Sequence, residues 1–371
     1  MDVVARILSL ALKELLALLR DTKSRLILIG PPILQLFVFG YGATFDLNRV
    51  PIAVYNEDRS APARELVARV VGSPNFRLIR EIGHDGEIAP LIDNRRVLAV
   101  LHLGPHFSQH LLHGEPAPVQ LLIDGRNSNT ALVLLGYVRE IVTTFGTDWR
   151  SAHGQAPPPA VLKVHALYNQ DLRSQWFIVP GIIGILTLVV TTIVTALSVA
   201  RERELGTFDQ LLVTPLTPAE ILLGKALPSV LIGLIEGGFI LLATLFWFEV
   251  PLRGELGALL LGMLLFIFSA VGIGLMISSL ATTQQQGILG AFLFLVPAVI
   301  LSGFATPIEN MPEAVQHLTV INPLRWFLIV ARGVLLEGDG YASLANTYWP
   351  MALIALISAL IAAWMFRHRM A

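Results

Sequence analysis

Residues 256–308 read LGALLLGMLLFIFSAVGIGLMISSLATTQQQGILGAFLFLVPAVILSGFATPI, and these 53 positions contain no Asp, Glu, Lys, Arg or His. A membrane-spanning helix needs about 20 apolar residues to cross roughly 30 Å of hydrocarbon. The stretch is therefore long enough for two spans, and the polar run from Thr282 to Gln286 is the natural turn between them. It predicts an α-helical polytopic membrane protein.

Four further apolar stretches have similar lengths, and only one of them contains an acid, Glu236. Together the stretches predict six transmembrane helices, at 26–45, 176–200, 221–247, 256–280, 287–304 and 345–366. The first is long for the apolar region of a signal peptide and lacks a good cleavage site, so we expect an uncleaved anchor.

The composition of the 371-residue chain agrees with this class. Hydrophobic residues make up 54% and charged residues 14%, against roughly 25% charged residues in an ordinary soluble domain. These values exclude a disordered chain and disfavour a soluble enzyme. The net charge of −1 gives no basic field for nucleic acid, and the absence of cysteine excludes disulfides and thiolate metal sites.

The distribution of Lys and Arg predicts the orientation. With the N-terminus inside, the short segments on that side contain ten of these residues, and the short segments on the other side contain three. Positive charge favours the cytoplasmic side of a membrane. Both termini are therefore expected in the cytoplasm, and the long segment 46–175 is expected outside it.

Two segments outside the spans have recognisable patterns. Residues 1–25 combine apolar residues at helical spacing with five basic residues, which predicts an amphipathic helix on the inner membrane surface. The alternative is a cytoplasmic extension of the first span. Within 46–175, strand patterns alternate with helix patterns, which predicts an inserted α/β domain with a mixed or parallel sheet.

A charged segment follows the second span. Residues 201–212 read RERELGTFDQLL and predict a short helix with an apolar face formed by Leu205, Phe208, Leu211 and Leu212. Such a helix can dock on a soluble partner, and the alternative is a solvated loop with the usual positive charges. The next residues, Thr217 to Glu220, form a capping box with proline at the first helical position, so we expect the third span to begin there.

The fifth span ends in a break, SGFATPIENMP at 302–312. The following segment, 313–336, is mostly apolar but contains His317, Arg325 and Arg332. It is too short and too charged to cross the membrane and return, so it predicts a re-entrant or interfacial helical pair.

The order of these features resembles a type-2 ABC exporter permease with a large external domain between its first two spans. The resemblance rests on RERELGTFDQLLVTPLTPAE (201–220), on the SGFATPIENMP break and on INPLRWF (321–327), and it covers essentially the whole chain. It implies a homodimer or a pair with a paralogous permease, driven by cytoplasmic ABC ATPase subunits in the inner membrane. A periplasmic adaptor protein is a further possible partner.

The resemblance also implies roles for particular residues. Residues 1–25 would be an interface helix, 201–212 a coupling helix and 305–336 an outer gate. The expected coupling residues are Arg201, Glu202, Arg203, Glu204, Gly206, Thr207, Asp209 and Leu211. The expected gate residues are Ser302, Gly303, Pro307, Glu309, Asn310, Pro312, Asn322 and Pro323.

The chain has no phosphate-binding loop of the form GxxxxGK[ST], since Ala219 replaces the first glycine before Gly224-Lys225. No cofactor is therefore expected on this chain, and ATP and Mg²⁺ are expected on the partner subunit. Hydrolase and metalloprotease motifs are also absent. Histidines 106, 110 and 113 share a helical face, but we interpret that face as solvated and expect no metal site.

Glu236 lies near the middle of the third span, where an acid costs about 2.5–3.5 kcal/mol on insertion scales. It is either a contact in the translocation path or an acid bonded to a neighbouring helix. The first hypothesis for the protein is an exporter permease for amphiphilic or drug-like molecules, with cation extrusion as a variant. The second is a membrane scaffold or sensor that uses its external domain and does not transport.

Overall fold

The computed structural model describes residues 3–20, 22–42, 47–154, 167–169, 173–208, 214 and 216–370. The chain forms two compact units. The helical unit comprises Met1–Thr44 and Ala166–Ala371, and the α/β unit comprises Phe45–His165. Each unit has its own buried apolar core.

Two helices open the helical unit, α1 (Val3–Arg20) and α2 (Thr22–Gly42). Two consecutive prolines lie inside α2, and each lacks the backbone N–H that a helix uses. The apolar part of α2, Ile29–Gly42, is shorter than the span predicted at 26–45.

The α/β unit alternates strands with helices in the predicted order. Its elements are β1 (Val50–Asn56), α3 (Ala61–Val71), β2 (Phe76–Ile82), α4 (Ile88–Asp93), β3 (Ala99–Leu103), α5 (Phe107–His113), β4 (Val119–Ile123) and α6 (Ser128–Ala152). The strand order is β2-β1-β3-β4. β1 is parallel to both of its neighbours, and β4 is antiparallel to β3.

Both faces of this sheet are covered. Leu66 of α3, Phe107 of α5 and Phe145 of α6 belong to the core on one face. Ile88 and Leu91 of α4 belong to the core on the other face. Strands buried on two faces are apolar throughout, which explains the nearly continuous hydrophobic sequence of β3.

The connection before β3 differs from the sequence prediction. The predicted helix over 84–94 is present as a 3₁₀ turn, Asp85–Glu87, followed by α4, but the strand expected from Arg96 begins only at Ala99. Arg95 has a φ of +55°, and the backbone N–H of Arg96 donates to the carbonyl of Leu91 at 2.9 Å. This turn ends the helix and occupies residues that the apolar pattern had assigned to the strand.

Asp124, which follows β4, gives the α/β unit a testable pH dependence. Its carboxylate accepts hydrogen bonds from Nε and Nη2 of Arg126 at 2.8 and 2.7 Å, and these lower the pKa of Asp124 to about 2. Because the pKa is lower in the folded state, the ionised carboxylate stabilises folding above about pH 4, and this contribution disappears between about pH 4 and 2. In hydrogen exchange, we expect Asp124→Asn to lower the protection of β4 at pH 6 and not near pH 2. An equal loss at both pH values would contradict this assignment.

Among the described residues, the rest of the helical unit consists of seven helices and two short turns. The helices are α7 (Ser174–Glu204), α8 (Pro218–Phe246), α9 (Leu256–Leu280), α10 (Gln284–Ile300), α11 (Glu313–Thr319), α12 (Pro323–Arg332) and α13 (Ala345–Met370). A 3₁₀ turn, Ile308–Asn310, precedes α11, and a π-turn, Gly333–Glu337, follows α12. Thr217 and Glu220 form the predicted capping box at the start of α8.

Four of the described helices, α7, α8, α9 and α13, are long and apolar enough to span a membrane. The pair formed by α11 and by Pro323–Glu337 passes the same test together but is bent by 79°, as a broken span or a re-entrant loop would be. α10 has 17 residues and ends before the Ser302-Gly303 break. These helices make the chain a multi-pass membrane protein, and the six-span topology stays a prediction.

Small residues allow the helices of this unit to approach closely. A Cβ atom at Gly184 of α7 would lie 2.8 Å from side-chain atoms of Leu324 and Phe327 on α12. A Cβ atom at Gly233 of α8 would lie 2.5 Å from the hydroxyl of Thr191 on α7. Since lipid offers no hydrophobic drive for helices to associate, such close packing supplies much of the attraction between them.

Candidate functional site

A buried lysine lies at the end of the helical unit where α7 finishes and α8 begins. Lys225 of α8 is 1% exposed. Its Nζ lies 2.9 Å from Oε1 of Glu14 on α1 and 2.9 Å from Oε2 of Glu202 on α7. It also donates to the carbonyl of Ser198 at 3.2 Å. A buried ammonium needs such partners because removing it from water is costly, so Lys225 holds three helices together.

Two further ion pairs attach α1 to the same place. Nζ of Lys13 lies 3.3 Å from Oε1 of Glu202, and Nη2 of Arg6 lies 2.9 Å from Oε1 of Glu220. The charged cluster is defined here as Arg6, Lys13, Glu14, Glu202, Glu220 and Lys225. It joins α1 to the last turn of α7 and the first turns of α8.

The position of α1 modifies the sequence interpretation. We expected its basic residues to face the membrane surface, but Arg6 and Lys13 form ion pairs with α7 and α8. Leu10 packs against Gly224 of α8, whereas Leu8 and Leu12 are more than half exposed. No described residue covers this apolar face of α1, and its location at the membrane surface stays a prediction.

The next two residues of α7 contact other helix ends. Nη1 of Arg203 donates to the carbonyl oxygens of Ser279 and Ala281, at 2.9 and 3.2 Å, where α9 ends. Oε2 of Glu204 accepts from the backbone N–H of Gln284 at 2.6 Å, where α10 begins. Each charge is opposite in sign to the helix end that it contacts, which is the favourable arrangement.

A turn after α7 brings an aromatic side chain to α13. Gly206 has a φ of +69°, and the backbone N–H of Thr207 donates to the carbonyl of Glu202 at 3.0 Å. The buried ring of Phe208 meets the ring of Phe366 edge-on at 5.9 Å. The guanidinium of Arg203 lies 5.1 Å from the centre of the Phe208 ring.

The segment 201–208 therefore contacts α1, α8, α9, α10 and α13 through neighbouring side chains, and we call it the hub segment. We expected one short helix over 201–212, but 201–204 form the last turn of α7, because no helix-breaking residue separates them from the span. Of the expected coupling residues, Asp209 and Leu211 lie outside the described residues.

Glu236 lies inside α8 with both carboxylate oxygens buried and without a hydrogen-bond partner among the described residues. Its neighbour Gly237 faces the Thr187 hydroxyl, since a Cβ there would lie 3.1 Å from that oxygen. The hydroxyls of Thr187 and Thr191 on α7 are also buried without a hydrogen-bond partner. The described residues thus show no bonded neighbour for Glu236, and the α7–α8 contact contains several unpaired polar groups.

At the opposite end of the unit, the expected gate residues form turns and helix starts. Asn322 caps α12 by accepting from the N–H of Leu324 at 3.1 Å, and its Nδ2 donates to the carbonyl of Ala298 on α10 at 2.7 Å. Ser302 donates to the carbonyl of Val299, and Gly303 has a φ of +83°. The other expected residues lie around the short helices, with Pro307 and Pro312 at caps, Glu309 and Asn310 in the 3₁₀ turn, and Pro323 opening α12.

Comparison with known proteins identifies the class of this arrangement. The sequence model of the ABC-2 family transporter proteins matches residues 25–364. The chain belongs to the ABC-2 family of transporters. It is 37% identical over 364 residues to the probable multidrug ABC transporter permease YbhR of Escherichia coli, covering 98% of this chain and 99% of that protein. It is 32% identical to the similarly named YbhS, covering 90% and 89%.

More distant relatives extend the same class. The chain is 21% identical over 360 residues to the linearmycin resistance permease protein LnrN of Bacillus subtilis, covering 90% of this chain and 92% of that protein. An ABC-2 permease is a transport subunit and not an ATPase, and the family arrangement places ATP hydrolysis on a separate chain. Family membership also implies a dimer of permeases.

Sequence reasoning missed part of the charged cluster in this permease. It used Lys225 only to exclude a phosphate-binding loop and Glu220 only as a helix cap, and it assigned no role to Glu14. The available signal was a lysine beside the start of an apolar stretch, 226–248. Its partner Glu14 lies 211 residues away in the sequence, so a local pattern does not reveal the pair.

Proposed function

We propose that this ABC-2 permease exports amphiphilic or drug-like molecules and is driven through its hub segment by a separate ATPase that binds ATP and Mg²⁺. The contacts of Glu202, Arg203 and Glu204 with different helices support the proposal most directly. A displacement of this segment acts on several helices together, as a change between two packings of the bundle requires. The multidrug names of YbhR and YbhS favour drug-like substrates.

The proposed arrangement in the cell follows the charge distribution. Both termini, the charged cluster and the hub segment lie on the cytoplasmic side of the inner membrane, and the α/β unit lies outside the cytoplasm. Six spans include α2 and α10, and two permeases, identical or paralogous, enclose the path. Segment 305–336 forms the outer gate, and the α/β unit is available to a periplasmic adaptor protein.

The hub segment is tested by separating transport from ATP hydrolysis. We expect Arg203→Ala and Glu204→Ala to lower ATP-driven uptake of rhodamine 6G into inverted membrane vesicles by about tenfold or more, equivalent to about 1.4 kcal/mol of coupling. ATP hydrolysis by the co-expressed ATPase is expected to persist, because neither change touches a nucleotide site.

Arg77→Ala is the matched control for that experiment, since Arg77 is exposed on β2 and belongs to neither the hub segment nor the proposed gate. It is expected to transport the dye like the wild type. If the hub variants also transported normally, the segment would not couple the helices. If no dye or drug of any class were transported with ATP, the proposed export function would be wrong, and a scaffold or sensor role would replace it.

Glu236 supports a second candidate function, the extrusion of a cation. An acid without a partner inside a span is a typical contact for a cation or a proton. If cations use this site, Glu236→Gln should abolish ATP-dependent extrusion of a monovalent cation while leaving neutral dye transport intact. Equal loss of both activities would mean that Glu236 serves the common path, and no loss would remove it from the path.

A further inference from the structure

Arg332, the last residue of α12, has charged donors that the protein leaves unused. Its Nε and Nη2 atoms are buried and have no hydrogen-bond partner among the described residues. The guanidinium carbon lies 4.0 Å from the centre of the Phe177 ring on α7. A cation over a ring face is attracted to it, but the ring accepts none of the in-plane N–H bonds.

A second unused donor belongs to the residue that precedes Phe177 in the sequence. Trp176 precedes Phe177 in the first turn of α7, and its indole Nε1 is also buried without a partner. Arg325, two helical turns before Arg332 on the same side of α12, has a buried, unpartnered Nε as well. Its Nη1 is occupied by the hydroxyl of Thr319. Unused donors of Arg332 and Trp176 therefore lie near the start of α7, whereas Arg325 lies two turns away, beside the contact of Leu324 with Gly184.

The chemistry of these donors selects an anion with several oxygens. A guanidinium offers parallel N–H groups that match phosphate in a two-point contact, and an indole offers one further donor. Glu337 lies close enough for its charge to act on Arg332, but the described residues show no ion pair between them within 4 Å. A buried cation without a direct partner is unfavourable, so an anionic oxygen in contact with Arg332 relieves a cost that Glu337 leaves in place. A neutral carbonyl or hydroxyl group could accept the hydrogen bonds of Arg332 but could not neutralise its positive charge.

The surroundings select an anion that carries a hydrocarbon chain. Phe177 is 40% exposed, and Ile329, one turn before Arg332, is 43% exposed. These apolar side chains lie beside the guanidinium, at the end of the unit opposite the hub segment. A headgroup at Arg332 would therefore place its chains along apolar helix surface, as in a bilayer leaflet.

We propose that Arg332, with the indole N–H of Trp176, forms a binding site for the phosphate group of a phospholipid. The site is independent of the coupling proposed above, since it involves neither the hub segment nor the charged cluster. A phospholipid bound there would neutralise Arg332 and link α12 to α7.

Binding of dioctanoyl phosphatidylglycerol to the purified full-length permease in a non-ionic detergent tests the proposal. We expect saturable binding that raises the thermal unfolding temperature of the wild type. Dioctanoylglycerol, which has the same chains and no phosphate, is expected to give no shift. Inorganic phosphate tests whether the site instead binds a soluble phosphate. If phosphate alone raised the unfolding temperature of the wild type but not of Arg332→Gln, that result would contradict a lipid site.

Three variants locate the binding. Arg332→Gln is expected to weaken binding by about tenfold or more, and Trp176→Phe, which removes only one donor, by about threefold. Arg332→Lys keeps the charge without the planar fork, so an intermediate affinity is expected. Arg77→Gln removes an exposed arginine of β2 in the α/β unit and is the control, with wild-type affinity expected.

Two results would overturn the proposal. One is equal lipid affinity in the wild type, Arg332→Gln and Arg332→Lys, or no saturable binding to the wild type. The other is an Arg332→Gln variant that dissociates into monomers while its lipid affinity is unchanged, which would make a carboxylate of a second copy the partner of Arg332.

Discussion

Replacing Lys225 by methionine is expected to lower the free energy of unfolding of the helical unit by about 3–5 kcal/mol, the range for breaking a buried ion pair. The change leaves Glu14 and Glu202, both largely buried, without the ammonium that lies 2.9 Å from each. The measurement is the denaturation midpoint of the purified permease in detergent, followed by helical circular dichroism.

The matched control is Lys13→Met, because Lys13 approaches the same Glu202 but its side chain is 59% exposed. An exposed pair of this kind contributes at most about 1 kcal/mol. Removing the stranded acids in Lys225→Met/Glu14→Leu/Glu202→Gln should restore part of the loss, since an apolar replacement of a whole buried ion cluster is often tolerated. Equal midpoints for Lys225→Met and Lys13→Met would show that burial of Lys225 has no energetic consequence.

Replacing Gly272 by valine is expected to destabilise the contact of α9 with α13 by about 3 kcal/mol, near the upper end for an overpacked core. The added Cβ would overlap Oγ of Ser358, and it would lie 2.9 Å from Cβ of Ser358 and 3.1 Å from the backbone nitrogen of Ala359. Backbone atoms of a helix do not move aside as a flexible side chain does, so the helices must separate.

Gly238→Val provides the comparison for Gly272→Val. A Cβ at Gly238 meets nothing within 4 Å, and both glycines lie inside apolar helices. The yield of monodisperse protein and its thermal midpoint should fall for Gly272→Val and stay near wild type for Gly238→Val. Similar losses in both variants would mean that helix propensity, and not the close contact, determines the effect.

Local features of the fold were predictable because local sequence determines them. The capping box at Thr217 and Glu220 follows from residue spacing, and the alternation of strands and helices in 50–149 follows from apolar periodicity and turn residues. The extension of α7 through Glu204 was not predicted, because the charges suggested that the span ended at 200 and that a separate short helix followed, while no residue before Gly206 ends α7. Residues 201–204 favour a helix although the apolar stretch ends at Ala200, so α7 extends beyond the predicted span.

The candidate site was predictable only in part. The charged stretch after the second span pointed to the hub segment, but not to the different helix that each side chain contacts. Lys225 and Glu14 meet only after α1 packs on α8, and Arg332 lies over Phe177 only after α12 packs on α7. Contacts of this kind depend on tertiary packing between distant segments, for which a single sequence has no local pattern.

The central claim is that a separate ATPase acts on this permease at the hub segment, and site-specific crosslinking tests it most directly. The chain contains no cysteine, so single cysteines can be introduced without background. Leu205→Cys places one on the hub segment at a residue that is 65% exposed, and Ile321→Cys places one at the opposite end at a residue that is 71% exposed. In membranes with the co-expressed ATPase, we predict a crosslink to that ATPase from position 205 and none from position 321. A crosslink from position 321, or none from position 205 while the complex is intact, would contradict the claim.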